Sequence, residues 1–155
     1  MMKRSFLMTL ALMSIFISSA SSCSKEDNKN NTNTENNTPV TNGKIKIKVN
    51  SKTFTITLFD NNAAKAFKDM LPLTINMVEL NGNEKYFDLS KSLPAHSSNP
   101  GTIQNGDIML YGSRTLVLFY KTFSTSYSYT RLGTIDDTSG LATALGVGNV
   151  TITFE

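Results

Sequence analysis

Few side chains in this chain could do chemistry, and the best grouped are Tyr127, Tyr129 and Arg131. They alternate with Ser128, Thr130 and Leu132, so a strand over residues 127–135 would set two phenol rings and a guanidinium on one face. With Phe123 in the preceding loop, that face could hold a peptide or a small ring compound by stacking and cation–π contact, at about 0.5–2 kcal/mol per pair. The same pattern also suits a solvent-facing aromatic ladder that only stabilises strand pairing. His96, the sole histidine, stands in a loop beside Ser97 and Ser98. Asp88 or Asp107 would complete a Ser-His-Asp set on paper, yet no Gly-x-Ser-x-Gly elbow presents a serine, so His96 reads as a solvated loop residue. His96 and Arg114 are retained only as a secondary polar site, and no catalytic residue is assigned. Asp136-Asp137 lacks neighbouring ligands at metal-binding spacing and reads as a strand end and helix cap, so neither a metal nor a cofactor is expected. Gly146-Val147-Gly148 reads as a turn, not a phosphate-cradling loop.

Cys23, the only cysteine, is the other chemically distinctive residue. Lys3 and Arg4 open the chain, residues 6–17 are nearly all apolar, and Ala20, Ser21 and Ser22 supply small residues ahead of the cysteine. A permanent span needs about 20 apolar residues, so residues 1–22 read as an export signal. A signal cut without lipidation would leave an unpaired reactive thiol in an exported protein. Ala20-Ser21-Ser22-Cys23 resembles the bacterial lipobox, in the relaxed form of Bacteroidetes lipoproteins. That resemblance implies a diacylglycerol thioether on Cys23 as the mature first residue, with the membrane as partner through acyl chains that each add about 0.8 kcal/mol per buried CH₂. Ser24-Lys25-Glu26-Asp27 resembles a short acidic export signal, which implies a cell-envelope protein anchored to the outer membrane and displayed on its outer face; ordinary linker charge is the alternative.

Composition excludes some classes. Without Lys3 and Arg4 the chain has thirteen basic residues against twelve acidic ones, and its lysines are spaced as in Lys44-Ile45-Lys46-Ile47-Lys48, the solvent face of a strand. No nucleic-acid partner is expected from such a pattern. Residues 28–43 are Asn and Thr but for one Lys, one Glu, one Pro, one Val and one Gly, and cannot bury enough apolar surface to offset their ordering entropy. Residues 23–43 therefore read as a tether reaching about 25 Å as a flexible coil.

Residues 44–155 fit one domain, and its pattern is strand-rich. Ile45, Ile47 and Val49, then Phe54, Ile56 and Leu58, alternate with polar residues around Asn50-Ser51-Lys52 and predict a hairpin. Asp60-Asn61-Asn62 can cap a helix through Ala63, Ala64, Ala66, Phe67 and Met70 that Pro72 ends. Residues 73–80 and 84–89 flank Asn81-Gly82, a type I′ turn signal. A long loop over 90–105 precedes strands at 108–111 and 115–120, the latter apolar on both faces. Thr138 or Ser139 can cap a helix over 140–145, and Val150, Ile152 and Phe154 mark a last strand. The order suits a mainly β fold, a closed eight-stranded barrel with two short capping helices.

Asn61-Asn62-Ala63-Ala64-Lys65-Ala66-Phe67, Pro100-Gly101-Thr102-Ile103 and Leu132-Gly133-Thr134-Ile135-Asp136-Asp137 resemble successive landmarks of cyclophilins. Gly106-Asp107-Ile108 and the run from Leu116 to Tyr120 look typical of the compact bacterial cyclophilin-like domains. The match covers most of 44–155 and implies a cyclophilin-like barrel. Cyclophilins isomerise X-Pro bonds, where a donor to the prolyl nitrogen beside an apolar pocket lowers a barrier of about 18–20 kcal/mol. The strand on which cyclophilins carry Phe-His-Arg reads Thr74-Ile75-Asn76-Met77-Val78 here, their Gln-Phe-Phe is Leu116-Val117-Leu118, and Tyr129 replaces their His. A register like theirs would point Leu118 and Tyr120 into the groove and Val117 and Phe119 inward; a slip of one residue exchanges the sets. The expected function is a lipid-anchored module binding a peptide or small molecule. The alternatives are an isomerase with altered catalytic residues and a structural subunit of an envelope complex.

Overall fold

The computed structural model describes residues 39–155. The signal segment, the lipidation at Cys23 and most of the 23–43 tether lie outside the described residues. β1 (Pro39–Val49) and β2 (Lys52–Phe59) form the expected hairpin, with Ile45 opposite Ile56 and Ile47 opposite Phe54. Lys44, Lys46 and Lys48 are exposed while Ile45, Ile47 and Val49 are buried, the period-two pattern of a half-buried strand. β1 starts at Pro39 and not at Lys44, because Pro39 pairs with Phe59 before the register shifts ahead of Lys44.

In α1 (Asn62–Lys68) the Asn61 side chain accepts from the Ala64 N–H at 2.8 Å, satisfying one of the orphan donors of the first turn. The helix stops at Lys68, short of Met70. Its end tightens into i→i+3 bonds, with the Met70 N–H on the Phe67 carbonyl and the Leu71 N–H on the Lys68 carbonyl. β3 (Leu73–Leu80) and β4 (Glu84–Asp88) turn through Asn81 and Gly82, both left-handed at φ 55 and 68. The long loop then yields a two-residue strand, β5 (Thr102–Ile103), before β6 (Asp107–Tyr111) and β7 (Thr115–Phe119). β8 (Phe123–Ser124) pairs with β5 in a ribbon of its own, and β9 (Thr130–Ile135), α2 (Leu141–Leu145) and β10 (Val150–Phe154) complete the chain.

Eight strands close an antiparallel barrel in the order β1-β10-β3-β4-β7-β6-β9-β2. Its interior holds Ile47, Ile56, Met77, Ile108, Leu110, Leu118, Leu132, Ile152 and Phe154. Each such side chain contributes about 1.5–3 kcal/mol on full burial. α1 closes one end, where Phe67 meets Phe154 edge-on at 5.4 Å. α2 closes the other with Leu141 and Leu145, and Asn50 in the β1–β2 turn donates to the Ala144 carbonyl. Neither Thr138 nor Ser139 caps α2. Gly140 occupies the cap position at φ 76, where a left-handed backbone favours glycine, and the Leu141 N–H donates to the Thr138 backbone carbonyl. Among the described residues no helix is long and apolar enough to cross a membrane.

Two expectations change here. β9 begins at Thr130, so Tyr127 and Tyr129 precede the barrel strand. The register of β7 is the slipped one: Leu116, Leu118 and Tyr120 belong to the barrel interior, whereas Val117 and Phe119 face outward under the β5–β8 ribbon. The ribbon is the physical reason, since it gives the outer face of β7 an apolar cover of its own. Ile103 and Phe123 pack there with Met109, Val117, Phe119 and Tyr129.

Candidate functional site

The outer face of β4, β6 and β7 forms the floor of a groove of ≈ 540 Å³. In register, Tyr86 lies beside Val117, Asp88 beside Thr115, and Tyr111 beside Thr115 on the other flank. The side chains facing out at these positions line the groove. Its walls come from the Asn81–Asn83 turn on one side and from residues 123–127 on the other. Tyr86, Tyr111, Tyr127 and Tyr129, four of the five tyrosines, all line it.

Five rings run in continuous contact through this region. Tyr127 meets Tyr111 edge-on at 6.1 Å, Tyr111 meets Tyr129 at 5.6 Å, Tyr129 meets Phe119 edge-on at 5.5 Å, and Phe119 meets Phe123 at 5.7 Å. Such edge-to-face pairs add about 0.5–1.5 kcal/mol each beyond area burial and hold the ring faces in fixed directions. Exposure is graded along the row: Phe119 is buried, Tyr129 is 7% exposed, and Tyr111 and Tyr127 are 48% and 61% exposed. Tyr129 is held by a two-way backbone bridge to Ser98, at 2.9 and 3.0 Å. The long loop therefore fixes a groove residue although His96 itself points to solvent.

Among the described residues, the charged ones lining the groove are two carboxylates, Glu84 and Asp88, and no Lys, Arg or His lines it. Asp88 accepts from the Thr115 hydroxyl at 2.6 Å. Glu84 is half-buried, and its carboxylate has no hydrogen-bond or ion-pair partner among the described residues. Burial, and then the charge of Glu79, push the Glu84 carboxyl above the ordinary carboxylate range. Burial and then the Glu84 charge likewise push the Tyr129 phenol upward.

The expected site residues divide accordingly. Phe123, Tyr127 and Tyr129 come together in the groove, whereas Leu118 and Tyr120 lie on the inside of the barrel. Arg131 does not line the groove either. Its guanidinium lies 4.7 Å from the centre of the Phe59 ring and 3.7 Å from the carboxylate of Asp107. Asp107 is itself buried, which pushes its carboxyl up, partly offset by the Gln104 N–H and the Arg131 charge. A buried carboxylate thus draws the guanidinium to the β2–β9 side, although Met109 opposite Arg131 and Leu110 opposite Thr130 keep the strand pairing regular there. Arg114 donates Nε and Nη2 to the Leu89 carbonyl at 3.0 and 2.9 Å and is consumed in shaping that turn. His96 uses its backbone N–H on the Thr130 hydroxyl. Among the described residues no three His, Cys, Asp or Glu side chains gather as a metal-ligand set.

Sequence reasoning missed Glu84, Tyr86, Asp88 and Tyr111 on the groove, and Lys85 inside the barrel. The alternation Glu84-Lys85-Tyr86-Phe87-Asp88 carried the signal, since the face opposite Phe87 holds both carboxylates and a ring. Lys85 is fully buried and donates to Glu79, to the Gly146 carbonyl at 2.9 Å and to the Gly148 carbonyl at 2.6 Å. Its ammonium also lies 5.4 Å from the centre of the Tyr120 ring, and the Tyr120 hydroxyl donates to Glu79 at 2.7 Å. Burial, then that bond and the nearby carboxylates, push the Tyr120 phenol up to about 12.

No curated protein sequence matches the chain. Among solved structures, the hypothetical protein AF2241 from Archaeoglobus fulgidus, determined in solution, is similar at a TM-score of 0.49 and 16% identity, over 72% of this chain and 92% of that one. The sequence model of the Cyclophilin-like family matches residues 47–155, the whole of the barrel from within β1 onward. By that match, the chain belongs to the cyclophilin-like family.

Proposed function

We propose that this protein is a binding module whose barrel takes a peptide segment or a small molecule in the tyrosine-lined groove. The observation that carries the reading is the concavity of ≈ 540 Å³ onto which four of the five tyrosines converge, with a half-buried carboxylate left without a partner. Largely apolar clefts of that size with a few convergent polar groups are the usual form of ligand sites. The reading includes an N-terminal lipid anchor on Cys23 and display at the outer membrane. The sequence motifs around that residue support both. Comparing palmitate labelling of the parent with that of Cys23→Ala tests the anchor: label retained by the variant defeats it.

Prolyl isomerisation fits this groove less well. A donor to the prolyl nitrogen is its chemical requirement. The groove lining offers no guanidinium, and Arg131 is held by Asp107 and Phe59 outside it. A protease-coupled assay on Ala-Pro peptides separates the two: acceleration abolished by a groove substitution such as Tyr129→Ala overturns the binding-only reading. A chemical-shift screen with a mixed peptide and fragment library is expected to move Tyr111, Tyr127 and Tyr129 together. Shifts scattered over the barrel defeat the groove as the ligand site.

A further inference from the structure

Resting on the groove reading above, we infer that the ligand presents an organic cation, an ammonium or guanidinium group, to Glu84 in the tyrosine-lined groove. Three observations converge on it. The groove's charged lining residues are carboxylates only, in a domain with lysines spread over its other faces. Asp88 is partly satisfied by Thr115, but Glu84 is half-buried with no partner among the described residues, although the other half-buried or buried acids have one. Asp107 has Arg131 and the Gln104 N–H, and Glu79 has Lys85 and Tyr120. A carboxylate lifted partly out of water and left unpaired is costly, and a cation arriving beside it recovers that cost.

The rings supply the second half of the recognition. Tyr111 and Tyr129 meet at 53°, tilted toward each other, and Tyr127 stands perpendicular to Tyr111. Glu84 lies opposite Phe119, the ring that Tyr129 meets edge-on, while Tyr111 flanks Thr115 at the Asp88 end of the groove; ring faces attract a cation through their quadrupoles, and the carboxylates exclude an anion. Tyr120 and Lys85 lie on the barrel side of the same strands, and Lys85 is committed to Glu79 and two backbone carbonyls, so it does not neutralise Glu84. The state of Glu84 supports the same conclusion. Burial and then the Glu79 charge push its carboxyl above the ordinary range, its own charge in turn raises the Tyr120 and Tyr129 phenols, and a bound cation would bring the carboxyl back down.

The absence of tryptophan and the placement of four tyrosines make ring resonances a local reporter. The test uses the full chain in detergent micelles with isotopically labelled tyrosine rings. Benzylammonium is titrated against benzyl alcohol, and an acetylated, amidated Gly-Phe-Lys-Phe-Gly peptide against its norleucine counterpart. The cationic member of each pair is expected to shift Tyr111, Tyr127 and Tyr129 and to bind about tenfold tighter than its neutral partner. Glu84→Gln should abolish that difference while keeping the neutral affinity. As a measurement independent of the variant, acidification through the titration of Glu84 should remove the preference in the parent. The pair with the larger preference tells whether the cation comes on a peptide or as a free amine. Equal affinities for charged and neutral members overturn the inference and leave the groove reading standing, as does a preference that survives Glu84→Gln. If no probe of either charge moves the groove tyrosines, the groove reading falls and the inference with it.

Discussion

Replacing Lys85 with Met removes an ammonium that is fully buried and leaves three groups without their partner. The Glu79 carboxylate loses its counter-ion, and the carbonyls of Gly146 and Gly148 lose the donor that ties the turn before β10 to β4. Breaking a buried pair by removing one member costs about 3–5 kcal/mol, mostly as the penalty on the charge left behind. The Glu79 side chain is 19% exposed and keeps bonds from the Tyr120 hydroxyl and the Gly82 N–H, which places the cost near the lower end, about 3 kcal/mol. For a domain of this size that is a fall in Tm of roughly 10–15 °C. Urea unfolding of Lys85→Met, followed by circular dichroism, should show that loss with an unchanged m-value. The double variant Lys85→Met with Glu79→Gln should recover about half of it, because no uncompensated charge then remains. Amide exchange at Gly148 to Val150 should accelerate in the single variant. A Lys85→Met protein within about 0.5 kcal/mol of the parent would refute the reasoning, because surface substitutions away from such features fall within that margin.

Three other outcomes follow from contacts already described. A Cβ at Gly133 would sit 2.7 Å from the Thr57 carbonyl oxygen and 3.2 Å from the Leu58 Cα, so Gly133→Ala should force β2 and β9 apart. We expect a loss of about 1–3 kcal/mol, read by thermal unfolding. Arg131→Ala should leave the affinity of any groove ligand unchanged, since the guanidinium lies on the Phe59 side, while lowering stability by about 1 kcal/mol through the lost ring contact; loss of ligand binding without loss of stability would contradict that placement. For Glu79, burial pushes the carboxyl up, but the bonds from Lys85 and Tyr120, the Lys85 charge and the Gly82 N–H hold the net value below 4.5. Its contribution to stability is therefore fully present above 4.5 and is lost as pH falls through the lower folded value. Chemical denaturation as a function of pH should show a shallower acid limb in Glu79→Gln, and an unaltered limb would assign the acid loss elsewhere.

The barrel was legible because its exposed strands keep a clean contrast between faces. Lys44, Lys46 and Lys48 against Ile45, Ile47 and Val49 leave one register, and Asn81-Gly82 leaves one turn. The groove was half legible. Tyr127 and Tyr129 stood out, but their partners on β4, β6 and β7 became neighbours through strand pairings distant in sequence. The β7 run Leu116-Val117-Leu118-Phe119 carries no contrast at all, because the β5–β8 ribbon buries its outer face as fully as the barrel buries its inner one. Two-residue strands leave no periodic trace, so the cover that decided the register was itself unreadable. Arg131 keeps its place in the strand alternation, but its guanidinium turns to Phe59 and Asp107, and the pull of a buried carboxylate is a three-dimensional fact.

β1 lies between β2 and β10, and it is the strand through which the chain enters the described domain. Its ladder to β2 runs from Lys44 to Val49 and its ladder to β10 from Ile47 to Val49, while Lys46 and Glu155 exchange backbone hydrogen bonds at 2.7 and 2.9 Å. Tension transmitted along the preceding segment would run parallel to this strand and perpendicular to its inter-strand bonds. Both ladders would then be loaded in shear, many bonds at once, and not peeled one after another. The Lys46–Glu155 bonds add to the same ladder, so the strand that would take the load is tied along both of its edges.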